Sequence, residues 1–352
     1  MTVLSEGPTL RSAPTTMRPF LYAAVLIIIT ATNASAQIVE SVGNRALGMG
    51  GAFVAVAADS TATWWNPAGL ATGPYSDISV GRSIVDLEKT ETSSARRDRL
   101  SWFAAAAPVV GFSYYRLRIT DIRGVGSTEP PAVNRQDTRA GVSTRSLAAS
   151  QFGLTVVQSI LPGVHAGATL KYVRGTVRVG ADDGSRSASD RLDAAEDLEG
   201  GNANNEFDLD AGVMVAAGPV RLGAMMRNIR RPDLGTDQAP FVLPRQARIG
   251  VAIDAEQAGG PPFMFALDAD VLTYAAGTGD RRVVALGAEQ WLWTKRIAVR
   301  GGGRFNTVGA KERAATAGAS VAVRNGLYLE GYVVHGGSEA ERGWGLGTRV
   351  SF

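Results

Sequence analysis

From Tyr75 to the end of the chain, segments of about ten residues alternate strictly between apolar and small or polar side chains. A period of two means a strand with one greasy face, because successive side chains leave a strand on opposite sides. In 147–160, Phe152, Leu154, Val156 and Ile160 share one face, and Gln151, Gly153, Thr155 and Ser159 share the other. In 205–216, Phe207, Leu209, Ala211, Val213 and Val215 oppose Glu206, Asp208, Asp210 and Gly212. In 262–273, Phe263, Phe265, Leu267 and Val271 oppose Asp268 and Asp270. The full set lies near 75–85, 99–108, 110–121, 147–160, 164–178, 205–216, 219–229, 245–255, 262–273, 281–292, 296–306, 313–323, 327–335 and 343–352. That is about fourteen strands, an even number of the kind single-chain bacterial barrels use.

The first connections sort by parity. Those at 86–98, 122–146, 179–204 and 230–244 are long, whereas Pro108-Val109, Leu161-Pro162-Gly163 and Ala217-Gly218 are short. Long loops at one end and tight turns at the other are how a membrane barrel is built, and a soluble sandwich has no reason to sort its loops this way. The contrast fades after residue 256, where all connections are moderate. Beyond the N-terminus no apolar stretch approaches the length of a spanning helix, so a membrane protein with this sequence must be a closed barrel. The expected fold is all-β: a transmembrane antiparallel β-barrel of about 14 strands with a small N-terminal hatch. Charges must then point inward, since one facing lipid costs about 2–4 kcal/mol at the midplane.

Composition removes several functions. The chain of 352 residues has no cysteine and two histidines, His165 and His335. Disulfides, thiol nucleophiles and histidine or cysteine metal cages are excluded, so no metal and no cofactor is expected. A Ser–His catalytic pair would need one of those two histidines, both near turns and without an accompanying acid and serine motif; the chain does not read as an enzyme. The net charge of +3, with no basic run interleaved with aromatics, gives no reason to expect nucleic acid. The segment 180–204 is acidic, with Asp182, Asp183, Asp190, Asp193, Glu196, Asp197 and Glu199. It lacks EF-hand ligand spacing and reads as a solvated loop or one that contacts a partner.

The N-terminus reads as an export leader. Arg18 precedes the apolar run Phe20–Ile29, and Ala34-Ser35-Ala36 follows as a small-residue cleavage site. Cleavage after Ala36 would leave Gln37 first, and translation from Met1 or Met17 would give the same leader. The expected organisation is a signal peptide at 1–36, a hatch or plug at 37–73 and a barrel at 74–352. The last strand places Trp344, Leu346, Thr348, Val350 and Phe352 on one face. It resembles the terminal strand of outer-membrane barrels, in which a final aromatic such as Phe352 is the signal read by the barrel assembly machinery.

Two turns fix register. A two-residue turn at Thr294-Lys295 sets Glu289 directly opposite Arg300 on the interior face, so an inward ion pair between them is expected. At Asn325-Gly326 a two-residue turn would bring Val321 opposite Glu330, forcing a charge into lipid or a valine into the lumen. A three-residue loop Arg324-Asn325-Gly326 with a left-handed Gly326 instead pairs Ser320 with Glu330 and Val321 with Leu329.

Ahead of the first strand runs Asn44-Arg45-Ala46-Leu47-Gly48-Met49-Gly50-Gly51-Ala52-Phe53-Val54-Ala55-Val56-Ala57-Ala58-Asp59-Ser60, followed by Thr61-Ala62-Thr63-Trp64-Trp65-Asn66-Pro67-Ala68-Gly69-Leu70. Gly48, Gly50 and Gly51 permit close backbone packing, and Asn66-Pro67 is a helix start with Asn as cap. A nucleotide-binding glycine loop is the competing reading, but no strand–loop–helix unit or later acidic residue supports it. The segment resembles the N-terminal signature of the superfamily that joins FadL-type fatty-acid transporters to the PorV/PorQ family. Further likenesses occur at 243–251, 286–289 and 297–302. The resemblance implies an outer-membrane barrel whose hatch motif comprises Gly48, Gly50, Gly51, Asp59, Asn66, Pro67 and Ala68.

Two functions follow by analogy. One is a PorV/PorQ-like protein that binds or passes on secreted cargo or partner proteins, as in type IX secretion; the other is a FadL-like transporter of long-chain fatty acids or other hydrophobic molecules. Asp208, Asp210, Asp268, Asp270 and Glu289 face the interior together with Arg221, Arg227, Arg248, Arg300 and Arg304, which tilts the expectation towards the first. Expected partners are outer-membrane lipid, the assembly machinery, and secreted cargo or a hydrophobic ligand.

Overall fold

A strand rich in alternating apolar residues leaves unpaired N–H and C=O groups at its edge, and closing the sheet removes every edge at once. The computed structural model describes residues 42–88, 95–123, 142–182, 186–235, 241–276, 279–309, 311–337 and 341–352. The expected leader at 1–36 and residues 37–41 lie outside the described residues. The strands are β1 (Asp77–Glu88), β2 (Ala95–Ala107), β3 (Val110–Arg123), β4 (Val142–Leu161), β5 (Val164–Asp182), β6 (Ala203–Ala217), β7 (Val220–Arg227), β8 (Gln246–Asp254) and β9 (Phe263–Asp270). After a small hairpin of β10 (Tyr274–Ala276) and β11 (Gly279–Arg281) come β12 (Val283–Leu292), β13 (Ile297–Asn306), β14 (Arg313–Arg324), β15 (Leu327–Gly336) and β16 (Arg342–Ser351). All but β10 and β11 form one closed antiparallel barrel in which each strand neighbours the next and β16 returns to β1. Fourteen strands close the wall.

The facing follows the alternation. Phe152, Phe207, Leu209, Phe265 and Leu267 are exposed on the outside, while Gln151, Thr155, Asp208, Asp210, Asp268 and Asp270 are buried within. Register agrees at both turns: Glu289 pairs with Arg300, and Ser320 with Glu330 and Val321 with Leu329. The first turn spans residues 293–296, four and not the expected two, because Trp293, Thr294 and Lys295 are left-handed in succession (φ 48°, 55° and 61°); one extra residue on each side leaves the register unchanged. In the second, the ladder shifts between Ala322 and Arg324, and Gly326 has φ 81°.

Three features differ from the sequence expectation. First, β4 and β5 run for 20 and 19 residues, well past the expected 147–160 and 164–178. Beyond Phe152 the outward residues of β4 are Ser150, Ala148, Ser146 and Thr144, so the apolar contrast that marks a strand vanishes although the ladder continues. Second, the acidic segment is not a solvated loop. Its residues Ala188–Glu196 form α3, which follows α1 (Asn44–Gly48) and α2 (Ala62–Trp65) in the chain, with Ser187 accepting the Asp190 N–H at 3.2 Å in an ordinary N-cap. Helix α3 lies on the outward face of β2–β4, where Leu192 is fully buried against Ala95 and Ile122. Arg97 and Arg99 of that face pair with its Asp193 and Glu196. Third, the connection after β7 turns inward instead of projecting. Leu234, Phe241 and Leu243 are buried in the main core, and Asp233 bridges to Val242.

Candidate functional site: the lumen and its plug

The chain from Val42 to Leu70 fills the barrel, with almost every residue buried. It holds two short helices, α1 (Asn44–Gly48) and α2 (Ala62–Trp65), and a 3-10 turn at Pro67–Thr72. Asn66 caps that turn: its Oδ1 accepts the Ala68 N–H at 3.2 Å, and Pro67 stands at the first helical position. The same side chain donates from Nδ2 to the Val54 carbonyl at 2.9 Å and to the Val213 carbonyl of β6 at 3.1 Å. One amide therefore terminates a turn, crosses the plug and ties it to the wall.

Glycines on both partners allow the backbones to approach. A Cβ on Gly50, which has φ 71°, would lie 2.7 Å from the Gly303 nitrogen, and one on Gly302 would lie 2.3 Å from the Met49 carbonyl carbon. Gly48 faces Gly318 in the same way. Gly51, with φ 84°, lets its carbonyl accept from Arg248 Nη1 at 3.4 Å.

Charge locks the contact. Arg300 Nε donates to Glu289 Oε2 at 2.6 Å, and Arg45 of α1 donates to both oxygens of Glu289 at 2.7 and 2.9 Å. The wall pair is thus a triad with the plug as third member. Burial works against the Arg45 charge, but Glu289, then Asp59 and Glu330, outweigh it and hold the guanidinium above its ordinary value. Asp59 accepts from Thr61 N at 3.0 Å and faces Arg45 Nη1 at 3.4 Å. Asp268 Oδ2 takes the N–H groups of Phe53 and Val54. Between Arg45, Asp59, Glu330 and Arg349 the remaining void is about 10 Å³, room for about one water. Every hatch-motif residue lies in this interface, and Phe352 lies apart from it, outside and exposed, its N–H donating to the Ser76 carbonyl at 2.8 Å.

The interior wall has two characters. Ion pairs run round much of it, among them Lys171 of β5 with Asp208 and Asp210 of β6 at 2.7 Å each and Arg248 with Asp270 at 2.7 Å. From β2 to β5 it is apolar at mid-height: Leu100, Trp102, Tyr115, Leu117, Ile119, Leu147, Ala149, Val173 and Val177 are all buried in one cluster with Leu234 and Phe241. Sequence reading found the charges and missed this strip. Arg96–Asp98 and Arg145–Asp121 pairs cap it towards the long loops. Near the opposite rim Ser159 Oγ and His165 Nδ1 do meet, at 2.8 Å on the exposed surface. No carboxylate bonds to His165 among the described residues.

Residues 31–270 match the model of the family described as F plasmid transfer operon, TraF, protein. The chain belongs to that family. No curated protein matches it. Among solved structures, the CymD monoaromatic hydrocarbon channel superposes with a TM-score of 0.63 at 12% identity, covering 88% of this chain and 97% of CymD. The Pseudomonas putida toluene transporter TodX gives 0.55 at 13% identity over 90% of this chain and 99% of its own. A Pseudomonas aeruginosa FadL homologue gives 0.57 at 10% identity, covering 90% and 100%. At these identities the likeness is one of fold: the closed fourteen-stranded barrel is similar to those of these channels.

Proposed function

We propose that the protein resides in the bacterial outer membrane and passes small hydrophobic molecules along the apolar strip of β2–β5. The strip is the observation that carries this reading. A lumen of unpaired charge all round would reject a greasy solute, but here the charges are neutralised in pairs, those on β2–β4 stand towards the long-loop end, and the strip runs beside the plug. The names of the similar barrels, a monoaromatic hydrocarbon channel and a toluene transporter, favour it over the cargo-binding role first expected. Leu234 and Phe241 cover the strip and act as its outer gate.

A cargo-binding role of PorV/PorQ type stays as the second reading, supported by the near-complete closure around Arg45. In it the barrel is a stopper and presents its rim to an exported protein.

The test is toluene uptake into proteoliposomes. The native chain should accelerate entry, and Leu117→Arg or Leu147→Arg, each placing a charge on the strip, should abolish the acceleration while the barrel still migrates as folded on unheated gels. Equal uptake with and without the protein removes the transport reading and leaves the stopper.

A further inference from the structure

We propose that the outward face of β1–β5 holds the phosphate groups of an outer-leaflet glycolipid through Arg82, Arg116 and Arg174. The proposal rests on the membrane placement above, but not on what the lumen carries. Register fixes the level of these residues. Val80, Phe103, Tyr114, Phe152, Tyr172 and Phe207 are successive Cα partners on six neighbouring strands, all on the outward face. Ring centroids lie 4.7 Å apart for Tyr114 and Phe152 and 5.4 Å apart for Tyr172 and Phe207. This is an aromatic belt of the kind that marks a membrane–water boundary.

The next outward row, on the long-loop side, is Arg82, Ser101, Arg116, Ser150, Arg174 and Asn205, again in register. Arginine stands on every second strand with a short hydroxyl between, so neighbouring guanidinium stems start about 10 Å apart, two strand spacings. All three arginines are exposed. From Phe152 to Ile160, eight residues cover about 26 Å along the strand, or about 20 Å along the barrel axis at the usual tilt, close to the height of an apolar band. The arginine row therefore sits at headgroup depth.

The same face shows what arginines here do when the protein supplies an acid. Higher up, Arg97, Arg99 and Arg118 meet Asp193 and Glu196 of α3; the Arg99 Nη1–Glu196 Oε2 distance is 2.7 Å. Among the described residues no carboxylate reaches Arg82, Arg116 or Arg174. An anion that pairs with them comes from outside the protein, and planar guanidinium groups take phosphate oxygens in pairs. The adjoining aromatic belt assigns that phosphate to a lipid, whose acyl chains would lie against Phe103 and Phe152, and not to free phosphate.

The experiment is native mass spectrometry of the full detergent-extracted chain with added bis-phosphorylated lipid A. The native protein should retain it about tenfold better than the variant Arg82→Gln/Arg116→Gln/Arg174→Gln, while Arg324→Gln, at the opposite rim, should match the native protein. Lipid A stripped of phosphate should not be retained, and millimolar inorganic phosphate should not displace the intact lipid. Equal retention by the triple variant, indifference to lipid phosphorylation, or displacement by inorganic phosphate would each overturn the proposal. Should the triple variant not fold, Arg116→Gln alone must lower retention. A native chain released from cells by buffer without detergent would overturn the membrane placement itself; one that needs detergent but shows no arginine-dependent retention overturns only the lipid site.

Discussion

Asp268 and Phe53 stand 215 positions apart in the chain, yet Asp268 Oδ2 accepts the Phe53 N–H at 2.7 Å and the adjacent Val54 N–H at 2.8 Å. A wall carboxylate thus does for the plug what a helix end or a nest does for an anion, with the roles reversed. Asp268→Ala would leave two buried N–H groups unsatisfied, at about 1–3 kcal/mol each. A lowered urea midpoint, with faster amide exchange at Phe53 and Val54, is expected, and Asp268→Asn should do less harm because one acceptor oxygen remains. Unchanged exchange at both amides would show that this carboxylate does not hold the plug.

Two neighbouring glycines of β13 separate packing from strand propensity. A Cβ on Gly302 would lie 2.3 Å from Met49 backbone, whereas one on Gly301 meets nothing within 4 Å. Gly302→Ala should cost about 1–3 kcal/mol through overpacking and expose residues 42–76 to protease. Gly301→Ala should stay within about 0.5 kcal/mol of the native chain. Thermal midpoints of the pair, measured side by side, check this.

The Arg45–Glu289–Arg300 triad should behave as a unit. Glu289→Ala leaves two guanidinium groups facing each other in the barrel and should cost about 3–5 kcal/mol. Adding Arg300→Met should restore part of that loss, making the double variant more stable than the sum of the single changes predicts. Strict additivity in the unfolding free energies would contradict the triad.

Helix α3 offers a dependence on pH. Burial raises the Glu196 carboxyl above its ordinary 4.5, against the pull of Arg99, Arg97 and Arg118 and with a smaller push from Asp193. A carboxyl whose docked pKa is raised contributes stability that is fully present below the undocked value and fades as pH rises through the docked one. Exchange protection of the α3 amides, corrected for intrinsic rates, should therefore be greater near the lower edge of that window than at alkaline pH, and Glu196→Gln should flatten the difference. Leu192→Asp should detach the helix at every pH while leaving the barrel closed.

The wall was legible in the sequence because a strand slipped by one residue turns every side chain to the wrong face, so lipid and charge together leave one register. That is why Glu289 could be set opposite Arg300, and Ser320 opposite Glu330, once each charge was required to face inward. The hatch motif was legible through its run of glycines and Asn66-Pro67. What stayed hidden had weaker local contrast. Inward Leu100, Leu117 and Leu147 look like any apolar strand residues, and only the ladder shows them stacked into one strip. The upper ends of β4 and β5 carry Ser, Thr and Arg outside, where α3, solvent or headgroups replace lipid and the alternation loses its meaning. Residues 188–196 are too few and too acidic to announce a helix, since their burial depends on arginines from β2 and β3.

The clasp residues Asp268, Glu289 and Arg300 stand on β9, β12 and β13, away from the four strands that carry the apolar strip. In the proposed transporter, exchanging Val173 or Ala149 for a different aliphatic would retune what size of molecule slides past while that clasp stays seated. A lineage of such cylinders could therefore change cargo by a handful of substitutions on four staves, leaving the other ten untouched.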